Sequence, residues 1–398
     1  MPATVYSATV HPPAARDVSI LVLNYDGSLS SPKFQVIEQN PTNPHLIDGR
    51  VVDLGVWRKP RWKAAIQAVH STGDIYVVGG GYFEDQHLAV DIFNINSGYW
   101  RVGPTLSNQR PGATLVHIDS EALCRRSCDI VNVASSHSTD ETQGSARKWR
   151  TESVINSPLQ CLNSHAAVEH KGQMVISGGR CASQSSGMAT VHTYNAQYRI
   201  WTRLANMKQW RYAHAMASDE RRYLYVCGGE ANDFNMVRAS RLLLMCERYD
   251  DVTDTWTLLR GKQPRLRRAG AQLQVLDNDL IVVMGGYTAL GSRQATNAVD
   301  VYDIVNGSWR EASMAKLAWP TGNHASTLVP TNWFERSLIE AIDEPPEMSL
   351  GFEQKLHESI KEDDGNSAVK KKSLGYIMAQ AFGQDLHWPW LKLVDMVD

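Results

Sequence analysis

The sequence has no run of apolar residues near the ~20 that a helix needs to cross a bilayer, and no excess of either charge. Its 40 Lys and Arg stand against 42 Asp and Glu, a formal net charge of −2. The first lack argues against a helical membrane span. The second removes any general electrostatic reason to bind nucleic acid or an acidic membrane surface. Cysteine is scarce too. Cys124, Cys128, Cys161, Cys181, Cys227 and Cys246 are scattered over 398 positions, too few for a disulfide scaffold of this size, and they read as reduced thiols of a cytoplasmic or nuclear protein. The first ten residues lack the basic start and apolar core of a signal peptide. The sequon Asn306-Gly307-Ser308 precedes a Trp and is read as a hairpin turn.

Tryptophan, by contrast, is plentiful at twelve residues, and six of these are periodic. Glycine pairs close short apolar runs at Gly79-Gly80, Gly178-Gly179, Gly228-Gly229 and Gly285-Gly286. After each pair comes an aromatic with a Trp seven residues beyond it: Phe93 and Trp100, Tyr194 and Trp201, Tyr249 and Trp256, Tyr302 and Trp309. Ahead of the pairs a third element recurs, a basic or polar residue followed by small residues and a β-type run. It begins at Arg61, Arg110, Asn163, Arg211 and Arg268, and once more at Asn323 with no glycine pair behind it. The unit is four short strands over roughly 45–55 residues, the size of a propeller blade.

These glycine pairs, aromatics and tryptophans resemble the kelch repeat, over about Val18 to Pro330. The resemblance implies an all-β propeller in which first strands line a central channel, glycine pairs end second strands, and the Tyr and Trp brace adjacent blades. Physics supports each role. Glycine reaches positive φ and allows close backbone approach, and a large aromatic fills the wedge between neighbouring sheets.

Two blades are degenerate, near residues 18–58 and 110–150. In the first, Val18–Leu23 fits a second strand and Val51–Trp57 the blade's end. In the other, Asp129–Ala134 is read as a second strand with Ala134-Ser135 in place of the glycines and Trp149 as the motif Trp, a blade expected to be irregular or a strand short. Since the chain starts in second-strand sequence and ends on a lone first strand at Asn323–Val329, both ends complete one blade, which predicts a closed ring of six. Residues 1–17 form an N-terminal segment, too short for the BTB or F-box domain that recruits ubiquitin-ligase partners in some kelch proteins. Residues 331–398 read as a small helical extension, with apolar stripes (Phe334, Leu338, Ile342; Phe352, Leu356, Ile360; Leu374, Ile377, Met378, Phe382), a charged linker at 362–372, and an apolar end around Trp388, Trp390, Leu391 and Val394.

The resemblance further implies that partners meet the face built by the loops that lead into first strands and those that join second to third strands. The first set supplies Arg61, Arg110, Arg211 and Arg268. The second supplies Tyr82, Arg180, Glu230 and Tyr287. Several arginines converging on one mouth suit an acidic peptide or a carboxylate. His165, His214 and His324 share one repeat position and are read as structural. Cys124 and Cys128 with His117 and His137 make a loose metal spacing with Arg125-Arg126 between the thiols, which opposes a zinc site. The adjacent Tyr-His pair of copper radical oxidases and the Glu-x-x-x-Asp-x-x-x-His motif of kelch-type specifier proteins are both missing from the sequence. The expectation is therefore a non-catalytic scaffold or adaptor with no cofactor, no nucleic-acid partner and no membrane insertion. It would bind a protein or peptide on the loop face, with a second contact from the C-terminal helices. The alternative is a sugar-processing enzyme, a kelch-type mutarotase, epimerase or oxidase, with its site at the channel mouth.

Overall fold

The computed structural model of the chain describes residues 18–24, 33–40, 47–54, 63–80, 88–106, 115–118, 121–124, 128–132, 150–152, 162–181, 187–232, 240–261, 264, 266–277, 279–290, 294–310 and 316–334. The chain divides into two compact units, Met1–Leu338 and Ile339–Asp398. The second unit, with the helical stripes and apolar end expected there, lies outside the described residues.

Among the described residues, the regular secondary structure of the first unit is almost all strand, chiefly in antiparallel sheets of four short strands. Sheet A pairs Ala325–Pro330 with Val18–Asn24, and continues through Lys33–Gln39 and Ile47–Val52. Sheet B runs Ala65–Val69, Asp74–Val78, Val90–Asn94, Tyr99–Val102. Sheet C runs Leu115–Ile118, Glu121–Cys124, Cys128–Asn132, Arg150–Glu152. Sheet D comprises Ala166–His170, Gln173–Ser177, Val191–Asn195 and Ile200–Leu204. Sheet E comprises Ala215–Ser218, Tyr223–Cys227, Cys246–Asp250 and Thr255–Leu258. Sheet F comprises Gln272–Leu276, Leu280–Met284, Thr296–Asp303 and Ser308–Trp309, with Lys316–Thr321 as an extra partner of its third strand.

The sheets are blades set in a ring. The first strand of A packs on that of B, and contacts between first strands continue from B through C, D and E to F, which returns to A. Side chains tie this inner ring together. Gln272 Nε2 donates to the His324 carbonyl at 2.8 Å, and Gln274 Nε2 to the Ser326 carbonyl at 3.2 Å. On the other flank of sheet A, the Ala68 N–H donates to Thr327 Oγ1 at 3.1 Å. Apolar cores fill the wedges between blades. Ile20, Val22 and Ile37 of A meet Val282, Met284 and Val301 of F, while Ala217 and Tyr225 of E meet Leu273 and Ile281 of F. Second strands such as Asp74–Val78 and Leu280–Met284 are buried along their whole length, because each blade is covered on both faces.

The expected braces are present. Each motif aromatic stacks on its Trp with centroids 5.0–5.2 Å apart. Trp256 Nε1 also reaches back to the preceding blade, donating to the Ala205 carbonyl at 3.0 Å, as Trp100 Nε1 does to Leu54 at 2.6 Å. Glycine pairs act one step further round. The Gly179 and Gly229 N–H groups donate to the carbonyls of Arg211 and Arg268, each at 2.9 Å. A Cβ on Gly178 or Gly228 would stand 2.3 or 2.4 Å from those same oxygens. Only glycine allows so close a clasp between one blade and the segment leading into the next.

Two expectations need correction. The run around Ile130 is the third strand of sheet C, not the second, and that blade has all four strands. The two strands ahead of it, Leu115–Ile118 and Glu121–Cys124, have four residues each. The cysteines are not all reduced thiols either. Cys227 and Cys246 sit opposite one another on the second and third strands of sheet E, with Cα atoms 4.2 Å apart, and are joined by a disulfide. Scattered in sequence, they are brought together by strand register alone. Cys181 is disulfide-bonded as well. The Asn306-Gly307 segment is a turn as expected, with Gly307 at φ 64° and the Asn306 N–H held by Asp303 Oδ1 at 2.8 Å.

Candidate functional site

The segments leading into the first strands of sheets D, E, F and A bend through a left-handed residue: Ser164 (φ 54°), Ala213 (φ 50°), Gly270 (φ 62°) and Asn323 (φ 53°). These residues form a chain of backbone bonds from blade to blade. The Ala213 N–H donates to Ser164 O at 2.7 Å, Gly270 to Ala213 at 2.8 Å and Asn323 to Gly270 at 2.7 Å. The positive φ of Ala213 costs energy without a compensating contact, and the two bonds to its neighbours provide that compensation. The loop face is built on this rim.

Arg211 and Arg268 stand two residues ahead of the rim residues Ala213 and Gly270, and both turn inward. Arg211 is fully buried. Its Nη1 donates to the carbonyls of Gly228 (2.8 Å) and Met245 (3.1 Å), and its Nη2 to Glu247 Oε1 at 2.6 Å. Glu247, equally buried, also accepts the N–H groups of Lys208 and Gln209 at 2.6 and 3.1 Å. Arg268 repeats the pattern one blade on, with Nη1 on Gly285 O and Ala298 O and Nη2 on Asp300. Burial pulls both guanidinium pKa values down, and the paired carboxylates oppose it. Neither arginine is presented to a partner. Assigning them to partner binding is therefore corrected: they are internal cross-braces, held by carbonyls that the glycine turn exposes and by a carboxylate on the third strand.

His214 and His324 sit deeper in the same seam. His214 Nε2 bonds Ser177 Oγ at 2.7 Å, whereas neither ring nitrogen of His324 has a hydrogen-bond partner among the described residues. Burial, then the nearby Arg211 cation, holds His214 well below the ordinary histidine pKa. Burial and Arg268 push His324 down to about 3. Both rings are neutral and structural in position.

The residues directly after the glycine pairs differ from blade to blade. Arg180 is exposed, its Nε donating to Asn163 Oδ1 at 3.3 Å and its guanidinium lying over the Tyr212 ring, 4.9 Å from the centroid. The Tyr212 hydroxyl donates to Glu230 Oε2 at 2.8 Å. Backbone bonds of 2.8 and 3.0 Å between Glu230 and Tyr212 extend the top of sheet E. Tyr287, half-buried, donates to the Gly322 carbonyl at 3.1 Å. Arg180 and Glu230 therefore come together around one aromatic ring, and Tyr287 occupies the same place on sheet F.

Arg61, Tyr82 and Arg110 lie outside the described residues, as does His137 of the weighed zinc set. Among the described residues no cluster of three His, Cys, Asp or Glu is placed to hold a metal ion. The sequence reading passed over Tyr212 and the carboxylates Glu247 and Asp300. A signal for the carboxylates was present, since each stands two residues before its motif tyrosine (Tyr249, Tyr302) in a blade whose lead-in carries an Arg. Tyr212 directly follows such an Arg, but nothing in a linear pattern shows that it lies beneath a side chain from the preceding blade.

Residues 141–334 match the family model of the KLHDC2/KLHL20/DRC7 Kelch-repeats domain. An F-box/kelch-repeat protein of Arabidopsis thaliana is 29% identical over 179 residues, covering 42% of this chain and 44% of that protein. Beta-scruin of Limulus polyphemus is 26% identical over 206 residues, covering 49% of this chain and 21% of its own length. The chain thus spans less than half the length of either relative.

Proposed function

This chain is a kelch-repeat protein, and on that premise we propose that it is a non-catalytic interaction scaffold or adaptor whose loop face binds a peptide or protein segment. The observation that carries the reading is the contrast between frame and face. Buried Arg211 and Arg268 repeat one bracing pattern, whereas the equivalent surface positions Arg180, Glu230 and Tyr287 carry three different chemistries on that frame. Repetition serves the fold, and variation at a common position serves recognition. We read the ring as six-bladed, supported by the circuit of first-strand contacts from sheet A through F and back. In this proposal the segment after Pro330 adds a helical second contact.

A sugar-processing site would need acid–base groups converging on an open mouth. Arg211, Arg268, His214 and His324 are instead buried within the blades, and each guanidinium is engaged by carbonyls and a carboxylate of a single blade. That arrangement favours the scaffold. The test is affinity capture with the full chain and with Arg180→Ala/Glu230→Ala/Tyr287→Ala, with thermal melting as the folding control. The variant is expected to fold and to lose the partners of the wild type. Identical partners from both proteins would remove the loop face as the site.

A further inference from the structure

We infer that the loop face over sheets D and E recognises a segment carrying opposite charges about two residues apart, and not an acidic stretch. This rests on the loop-face reading above and specifies its ligand. Arg211 and Arg268 are buried; directly after its glycine pair sheet D presents Arg180, and the next blade answers at the same position with the carboxylate of Glu230.

Tyr212 organises both charges. It is buried, 5% exposed, and fixed by its backbone bonds to Glu230. On one side its ring supports the Arg180 guanidinium at 4.9 Å, and Asn163 Oδ1 holds the Nε edge. A guanidinium held flat by its face and its Nε keeps its two terminal nitrogens as a preset fork for a carboxylate. Those nitrogens have no protein acceptor among the described residues. On the other side the Tyr212 hydroxyl holds one oxygen of Glu230, whose carboxylate forms no ion pair among the described residues. One ring thereby presets a cation and an anion, both without a counter-charge among the described residues.

An acidic stretch would gain at Arg180 and be repelled at Glu230, whereas a segment with both signs satisfies each. The spacing also fits. Both charges lie against the same tyrosine side chain, and an extended peptide places same-side residues about 6.6 Å apart, two steps of about 3.3 Å. Tyr287, neutral and one blade further on, leaves the following ligand position without a charge requirement.

The experiment selects binders from a displayed library of random short peptides on the full chain, on Arg180→Glu and on Glu230→Lys, with melting curves to show that all three are folded. Wild type is expected to enrich Asp or Glu two positions from Lys or Arg. Arg180→Glu should shift the enrichment to basic peptides and Glu230→Lys to acidic ones, and each reversal should weaken the wild-type peptides by about tenfold or more. Purely acidic wild-type binders that are lost with Arg180→Glu would overturn the mixed-charge inference and leave the loop-face reading standing. Binders indifferent to both reversals and to Tyr287→Ala would overturn the loop-face reading itself. A library yielding no binder would also overturn the inference.

Discussion

Arg211 shows how a surface-type residue becomes structural. Fully buried beside a fully buried Glu247, it stays charged because two carbonyls and a carboxylate replace its water. Removing one partner strands the other. Arg211→Met is expected to cost about 3–5 kcal/mol in chemical unfolding, whereas Arg211→Met/Glu247→Leu should recover a good part of that loss. A double variant no more stable than the single would show that the carbonyl contacts outweigh the ion pair. His324 makes a second prediction at this scale. Its folded pKa is about 3, well below the unfolded value near 6.5. Below that value the unfolded chain takes up a proton that the folded chain refuses. The contribution to stability is therefore complete above about pH 6.5 and declines as the pH falls toward 3, at about 1.4 kcal/mol per pH unit. His324→Leu should flatten the pH dependence of unfolding between pH 6 and 4, and an unchanged slope would assign it to other groups.

At the scale of one blade, sheet E is cross-linked through its middle. Cys227 and Cys246 face each other on neighbouring strands and close a loop across 19 positions of sequence. By loop-closure entropy such a link stabilises by about 3 kcal/mol. Cys227→Ala/Cys246→Ala is expected to melt several degrees lower than the oxidised protein, and the difference between the two should shrink when both are measured in reductant. A melting point insensitive to reductant would mean that the bond adds nothing to the packing of sheet E.

At the scale of the whole first unit, the ring depends on pairing a strand from near its start with one from near its end. Ala325–Pro330 joins Val18–Asn24 in register from Leu23↔Ala325 to Val18↔Pro330. Arg50 Nη2 then donates to the Phe334 carbonyl at 2.5 Å, holding the turn that follows. Val329 and Phe334 are buried. A chain ending at His324 would lose the inner strand of sheet A and its contact with sheet B, leaving an open edge. It should unfold at lower temperature with a broader transition and aggregate, as size-exclusion chromatography and calorimetry would show. A truncated chain as sharp and stable as the full one would mean that the ring does not need its closing strand.

Much of this was legible in the linear chain. Glycine pairs, a Tyr or Phe and a Trp at fixed spacing, and a first strand displaced to the far end specify blades and the closing pair, because strand period and turn chemistry are local properties that repeat. The sequence also placed Arg180, Glu230 and Tyr287 at equivalent positions. What it could not decide was direction and neighbourhood. Whether Arg211 points outward or inward depends on carbonyls that the glycine turn exposes and on Glu247, 36 residues away. Whether Cys227 meets Cys246 depends on strand register, and whether Arg180 rests on Tyr212 depends on how two blades meet. Repeated local chemistry set the frame. The pairing of charges, thiols and rings across it was decided by tertiary packing, since those energies exist only once distant segments are brought within a few ångströms.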